Sequence, residues 1–255
     1  MTVQSTYSLF AKFYDAYVGD YAQDLPFYLA LASKVNAPIL EIGCGSGRVL
    51  LPLLRAGHAV TGVDISKEML QLANDKLQKN HLSEKCTFLN HNFVDSSLPQ
   101  EFGLALVTFY TFNYLLSPDL QQSFLTHVGG SLRPGAFIVL HLFYPNVLLH
   151  PETAGQWIDK GQFQIDSETV VLKDFRRMLD EHTEERLQTF DYESGGKVEI
   201  RTLRRYVTQT EIYRLLISVG FGSPVLIEDI NLQRQFPLHP DTVTKKEFVV
   251  MAQKK

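Results

Sequence analysis

Ile39-Leu40-Glu41-Ile42-Gly43-Cys44-Gly45-Ser46-Gly47-Arg48, followed by an apolar helical stretch and then Val60-Thr61-Gly62-Val63-Asp64-Ile65, decides how this chain is read. A short buried strand runs into a glycine-rich turn, a helix follows, and a second strand ends in a carboxylate. That order belongs to a parallel sheet whose ligand crevice lies at the carboxyl ends of the strands. Glycine turns sharply and lets a ligand approach the main chain with no Cβ in the way. A carboxylate at the end of the second strand can accept from both hydroxyls of a ribose.

Working outward, the apolar and polar residues alternate between strand and helix periods. Tyr7–Tyr17 predicts a short helix or lid, and Asp24–Val35 a helix with Pro26 in its first turn. Pro38–Ile42, His58–Asp64, Cys86–Leu89, Leu104–Phe109 and Ala136–Leu142 predict five strands. Between them lie helical segments at Arg48–Ala56, after the N-cap Ser66, and around Phe124–Leu132 up to Arg133-Pro134-Gly135. From about Gln162 to Tyr206 the rhythm changes to extended segments, with Ser194-Gly195-Gly196-Lys197 as a hairpin turn. Thr208-x-x-Glu211 is a capping box opening a helix that stops at Gly220, and Val225–Glu228 and Phe248–Ala252 complete the strands. The expected fold is therefore α/β, a Rossmann-like, doubly wound and mostly parallel sheet. It forms a single domain over 1–255, with an N-terminal lid at 1–21 and an antiparallel β insertion at 160–206.

Composition narrows the function. The chain has 255 residues, 45% hydrophobic and 20% charged, with a net charge of −4. This is ordinary for a globular protein and signals no basic face for nucleic acid. No apolar run reaches the roughly 20 residues of a membrane span. Cys44 and Cys86 are the only cysteines, too few for a disulfide scaffold and consistent with a reducing cytoplasm. No clustered His, Cys, Asp or Glu spacing suggests a metal.

The glycine pattern is G-x-G-x-G, without the third glycine of the dinucleotide G-x-G-x-x-G spacing and with no clear Tyr-x-x-x-Lys pair. A nicotinamide-dependent oxidoreductase is thereby disfavoured. Glu41-Ile42-Gly43-Cys44-Gly45-Ser46-Gly47-Arg48 with Gly62-Val63-Asp64-Ile65-Ser66-x-x-Met69-Leu70 resembles the class I S-adenosylmethionine-dependent methyltransferases. Phe102-x-x-x-Leu106, Leu132-Arg133-Pro134-Gly135-Ala136 and Tyr206-x-Thr208-x-x-Glu211 support the likeness. The N-terminal Tyr14-Asp15-x-Tyr17-x-Gly19-Asp20 and the extended insertion resemble the small-molecule branch, which includes glycine and amino-sugar N-methyltransferases.

The resemblance implies S-adenosylmethionine as cofactor and a small-molecule acceptor, methylated on N or O by direct in-line displacement. It places the main chain of Gly43, Cys44 and Gly45 and the carboxylate of Glu41 at the methionine part, and Asp64 at the ribose. Ile65, Asn92 and Phe93 fall at the adenine, with Met69, Thr108 and Phe109 nearby. Tyr14, with Tyr17 beside it, would close over the tail. Arg48 either meets the cofactor carboxylate or has a structural role. Tyr110, Tyr114 and His141 are the catalytic candidates, the tyrosines as an aromatic box for an amine and His141 as a base. A homodimer is compatible with the sequence, and a non-catalytic nucleoside-binding protein of the same fold stays open.

Overall fold

A computed structural model describes residues 3–19, 21–145, 148, 150–229, 234–237 and 247–255. The first half alternates as the hydrophobic pattern predicts. Helices α1 (Val3–Val18) and α2 (Leu25–Ala32) precede β1 (Ile39–Ile42), α3 (Leu50–Arg55), β2 (Val60–Asp64), α4 (Lys67–Lys79), β3 (Cys86–Asn90), β4 (Phe102–Val107), α5 (Pro118–Ser131) and β5 (Leu132–Leu142). Four strands follow directly: β6 (Trp157–Ile165), β7 (Glu168–Met178), β8 (Thr183–Tyr192) and β9 (Lys197–Arg205). Helix α6 (Gln209–Ser218), β10 (Phe221–Asp229), β11 (Arg234–Pro237) and β12 (Phe248–Lys254) close the described chain.

The main sheet has the order β11-β10-β12-β5-β4-β1-β2-β3. Strands β1 to β5 pair in parallel, whereas β12 runs antiparallel to β5 and β10 antiparallel to β12. The chain builds outward from β1 to β3 and then returns to the other side of β1 with β4. The winding therefore reverses between β1 and β4, the switch point where such sheets open a crevice. Every residue of β1 is buried, because helices cover both faces. Leu40 and Ile42 join Phe124, Val128 and Ile212 of α5 and α6, while Ile39 joins Phe27, Leu50, Leu53 and Leu70 of α2, α3 and α4. Ser66 caps α4 by accepting from Met69 N at 3.2 Å, and Thr208 and Glu211 form the expected reciprocal capping box on α6.

The second sheet is a four-stranded meander, β6-β7-β8-β9, antiparallel throughout. Its inner face meets α1 in a third core, where Phe13 stacks on Phe190 with ring centroids 4.0 Å apart and Phe10, Val170, Leu172 and Ile200 surround them.

Four local expectations change. β6 begins at Trp157, before the expected insertion at 160–206, and was not foreseen as a strand of its own: it is a largely exposed edge strand with an irregular register between Asp159 and Gln162, so no clean alternation marks it. β11 was not foreseen either. Arg133-Pro134-Gly135 does not separate helix from strand but bulges within β5, since Phe102 pairs with Leu132 and Leu104 already with Phe137. β4 stops at Val107, not Phe109, because Phe109 and Tyr110 turn to positive φ (47° and 71°).

Candidate active site

The glycine turn is stitched to the second strand. The N–H groups of Gly43 and Cys44 both donate to Val63 O, at 2.8 and 3.0 Å. Gly45 N donates to Asp64 Oδ2 at 3.0 Å, and Ser66 N to Asp64 Oδ1 at 2.8 Å. Asn90 donates from its side chain to the carbonyls of Asp64 and Ile65, at 3.0 and 2.8 Å, locking the end of β2. Asp64 is thus held in one orientation, with a second lone pair left on each oxygen. Burial raises its pKa, and the N–H donors of Ser66 and Gly45 pull the other way.

Gly43 and Gly45 have φ of +69° and +53°, and a Cβ on Gly43 would run into the Thr111 side chain. A Cβ on Gly45 would sit 3.7 Å from the ring of Tyr14, whose helix lies over the turn. The amides of both glycines are spent inside the protein. What the turn offers a ligand is bare Cα atoms and carbonyl oxygens.

These residues line one cavity of about 920 Å³, near the top of the range of roughly 300–1,000 Å³ for ligand pockets. Glu41, Gly43, Cys44, Gly45, Asp64 and Ile65 form its floor. Met69, Asn92 and Phe93 stand on one side, and Thr108, Phe109, Tyr110 and Tyr114 on the other. Tyr14 and Tyr17 cover it from α1. Glu41 is 1% exposed, its Oε2 has no hydrogen-bond partner among the described residues, and burial pushes its pKa up to about 8. A buried carboxylate oxygen left unpaired beside a cavity is costly unless a cation or donor joins it. Asn92 already uses Oδ1 to accept from Val94 N at 3.1 Å, and Phe93 is 2% exposed within the main core.

Two residues are engaged within the protein. His141 is fully buried and does not line the cavity. Its Nδ1 meets Tyr28 Oη at 3.2 Å, and its Nε2 has no hydrogen-bond partner among the described residues, lying 3.7 Å from Glu247. It stands behind the wall, because the Tyr110 ring meets it edge-on with centroids 4.9 Å apart and Tyr28 packs on it as well. Arg48 lines the cavity but is bound as a fork to Asp24, at 2.5 and 2.8 Å, and lies over the rings of Tyr21 and Phe109. That grip makes it a brace between α2 and the glycine turn.

Several lining residues escaped the sequence reading: Glu247, Tyr7, Phe10, and Arg176, Arg186 and Arg204 of the second sheet. The arginines left one signal. Asp174 and Arg176, and Glu184 and Arg186, are two residues apart along their strands, so each pair of charges shares a face of the sheet.

The chain spans about half the length of the curated relatives it matches. An uncharacterised methyltransferase of Bacillus licheniformis is 31% identical over 93 residues, 36% of this chain and 41% of that protein. Among solved structures, an S-adenosylmethionine-dependent methyltransferase from Clostridium acetobutylicum superposes with a TM-score of 0.76 at 17% identity, covering 97% of this chain and 98% of the other. The sugar N-methyltransferase KedS8 from a Streptoalloteichus species gives 0.73 at 14% identity, covering 95% and 91%. The family model described as methyltransferase domain matches residues 39–135, from β1 into β5. Over residues 39–135 the chain is therefore similar to methyltransferases, and it shares their fold along nearly its whole length.

Proposed function

We propose that the chain transfers a methyl group from S-adenosylmethionine to a nitrogen or oxygen of a small molecule. The observation that carries this reading is the pairing, in one cavity, of the clamped Asp64 with the buried Glu41, whose Oε2 has no hydrogen-bond partner among the described residues. The two carboxylates suit the two polar ends of the donor. Asp64 would accept from the ribose hydroxyls, and Glu41 would take the ammonium of the methionine tail. Gly43, Cys44 and Gly45 would let the tail lie against bare main chain. Ile65 and Phe93 would enclose the adenine, with the second lone pair of Asn92 Oδ1 free to accept from its amine. Met69, Thr108 and Phe109 would complete the walls, and Tyr14 would close them from above.

Bound there, the sulfonium supplies an already electrophilic methyl group, so no covalent intermediate with the protein is required. The protein's work is to align and to dehydrate. Holding two reactants in line is worth roughly 7–11 kcal/mol in favourable cases. Tyr7, Tyr110 and Tyr114 also line the cavity, and Tyr7 meets Tyr114 edge-on with centroids 5.1 Å apart. Ring faces of this kind favour an amine-bearing acceptor, in keeping with a sugar N-methyltransferase among the similar folds. A cytoplasmic setting belongs to the same reading, supported by two cysteines that form no disulfide. No described helix is long and apolar enough to cross a membrane.

Isothermal titration with S-adenosylmethionine and with its demethylated product tests the proposal. Wild type is expected to bind both, and Asp64→Ala to bind at least about tenfold more weakly, since two charge-assisted hydrogen bonds are lost. Absence of binding by wild type overturns it.

A further inference from the structure

The second sheet turns two kinds of surface inward. Near Phe190 it is apolar and packs on α1. Further along, the same face presents Arg176, Arg186 and Arg204 to the cavity. The strand register puts Arg176 directly opposite Arg186, a like-charge pairing that destabilises a sheet. Asp174 accepts from both, at 2.7 Å from Arg176 and 2.6 Å from Arg186. Arg204 pairs with Glu184 across β8 and β9 and lies 4.2 Å over the ring of Phe143. That pair meets at one point only. Arg204 Nε and Glu184 Oε1 both remain buried without a hydrogen-bond partner among the described residues.

Three guanidiniums therefore face two carboxylates in a largely dehydrated wall. The side chains of Arg186 and Arg204 are 8% and 6% exposed, and that of Arg176 is 19%. Tyr17 adds a hydroxyl that accepts from Arg186 at 2.9 Å; burial raises its pKa, but the guanidinium beside it brings it below the ordinary phenol value. The remaining lining carboxylates, Glu41, Asp64 and Glu247, belong to the main sheet or the residue before β12 and make no ion pair with these arginines. An uncompensated buried cation is expensive, and an arriving anion with oxygen acceptors would relieve it.

We propose that this arginine wall is the acceptor-recognition site and that the acceptor carries an anionic oxygen group, a carboxylate or a phosphate ester, held by Arg176 and Arg204. The word acceptor rests on the methyl-transfer reading; the anion site itself does not. The cavity is then charged at both ends. Carboxylates on the floor suit the cationic donor tail, and guanidiniums in the roof suit an anion on the second molecule. Uncharged amines and simple alcohols would miss the roof altogether.

The test follows the thermal unfolding midpoint of wild type, Arg176→Gln and Arg204→Gln at constant ionic strength. Chloride is replaced stepwise by acetate in one arm and by inorganic phosphate in the other, each with and without the demethylated donor product. A saturable rise of the wild-type midpoint with one anion is expected, by mass action. In both variants the apparent affinity for that anion should fall at least tenfold, while the donor product binds within about twofold of wild type. Whichever arm saturates names the group. Arg176 is the more exposed of the two, so Arg176→Gln keeps the test decisive if Arg204→Gln does not fold. A wild-type midpoint that follows neither anion, or variants that respond as wild type does, overturns the proposal. If the anions act but the donor product does not bind, the methyl-transfer reading falls and the anion site stands.

Discussion

The phenol of Tyr110 donates a hydrogen bond to the carboxylate of Glu247, joining the turn after β4 to the residue that opens β12. Tyr110 and its neighbour Phe109 are consecutive non-glycine residues at positive φ, each costing on the order of 1–2 kcal/mol. Strain of this kind persists only where the surroundings hold it. Here Tyr110 N donates to His141 O at 3.2 Å, and the rings of Phe109 and Tyr110 stack with centroids 5.1 Å apart. The strained turn carries the tyrosine onto the cavity wall. Glu247 is held below the usual carboxylate range by His141 first and then by the Tyr110 hydroxyl, against its burial.

Tyr110→Phe is expected to lower stability by about 1 kcal/mol at neutral pH, a charge-assisted bond discounted because Glu247 is half exposed. Glu247 has a depressed pKa in the folded state. Its contribution is therefore present above the ordinary carboxylate value and lost as pH falls through the folded one. Urea denaturation of the variant and wild type at pH 7 and again near pH 3.5 checks this: the difference should shrink in acid. A constant difference would mean that the ring and not the hydroxyl matters.

Glu41 has the opposite sign. Its folded pKa is raised by burial from 4.5 to about 8. The contribution is fully present below 4.5 and is lost as pH rises through 8, at up to roughly 1.4 kcal/mol per pH unit between the two values. Glu41→Gln should flatten that slope in the ligand-free protein. A ligand ammonium beside Glu41 would restore its charge, so binding of the demethylated donor product at pH 7 should release a proton. Calorimetry in buffers of different ionisation enthalpy measures the release, and Glu41→Gln should abolish it.

Phe13→Ala tests how α1 is held over the site. Phe13 is 1% exposed and stacked on Phe190, and its truncation should cost about 3–5 kcal/mol. The same helix carries Tyr14 and is tied to the glycine turn by Ser46 donating to Asp15 at 2.5 Å, with Lys76 on the same carboxylate at 2.7 Å. Donor-product affinity is therefore expected to fall together with stability. Lost stability with unchanged affinity would show that α1 does not close the cavity.

Arg48 and Asp24 form an ion pair whose carboxylate is fully buried. Asp24→Ala strands the guanidinium and should destabilise by about 3–5 kcal/mol, whereas the double change Asp24→Leu with Arg48→Met should recover much of the loss. Denaturant midpoints of the single and double variants decide between a structural brace and a group reserved for a ligand.

The sequence by itself determined the alternating sheet, the glycine turn at Gly43–Gly47, the carboxylate at Asp64 and the caps at Ser66 and Thr208. Each is a local matter: a run of buried strand residues, a backbone turn at positive φ, or a side chain bonding two or three residues onward. Tertiary structure alone decided that His141 lies beneath the wall, that Arg48 is occupied by Asp24, and that Tyr110 meets Glu247 across 137 residues. It alone brought Arg176, Arg186 and Arg204 of the second sheet over the floor built by β1 and β2. Such pairings depend on strand order and register, which long-range burial sets and which no spacing along the chain encodes.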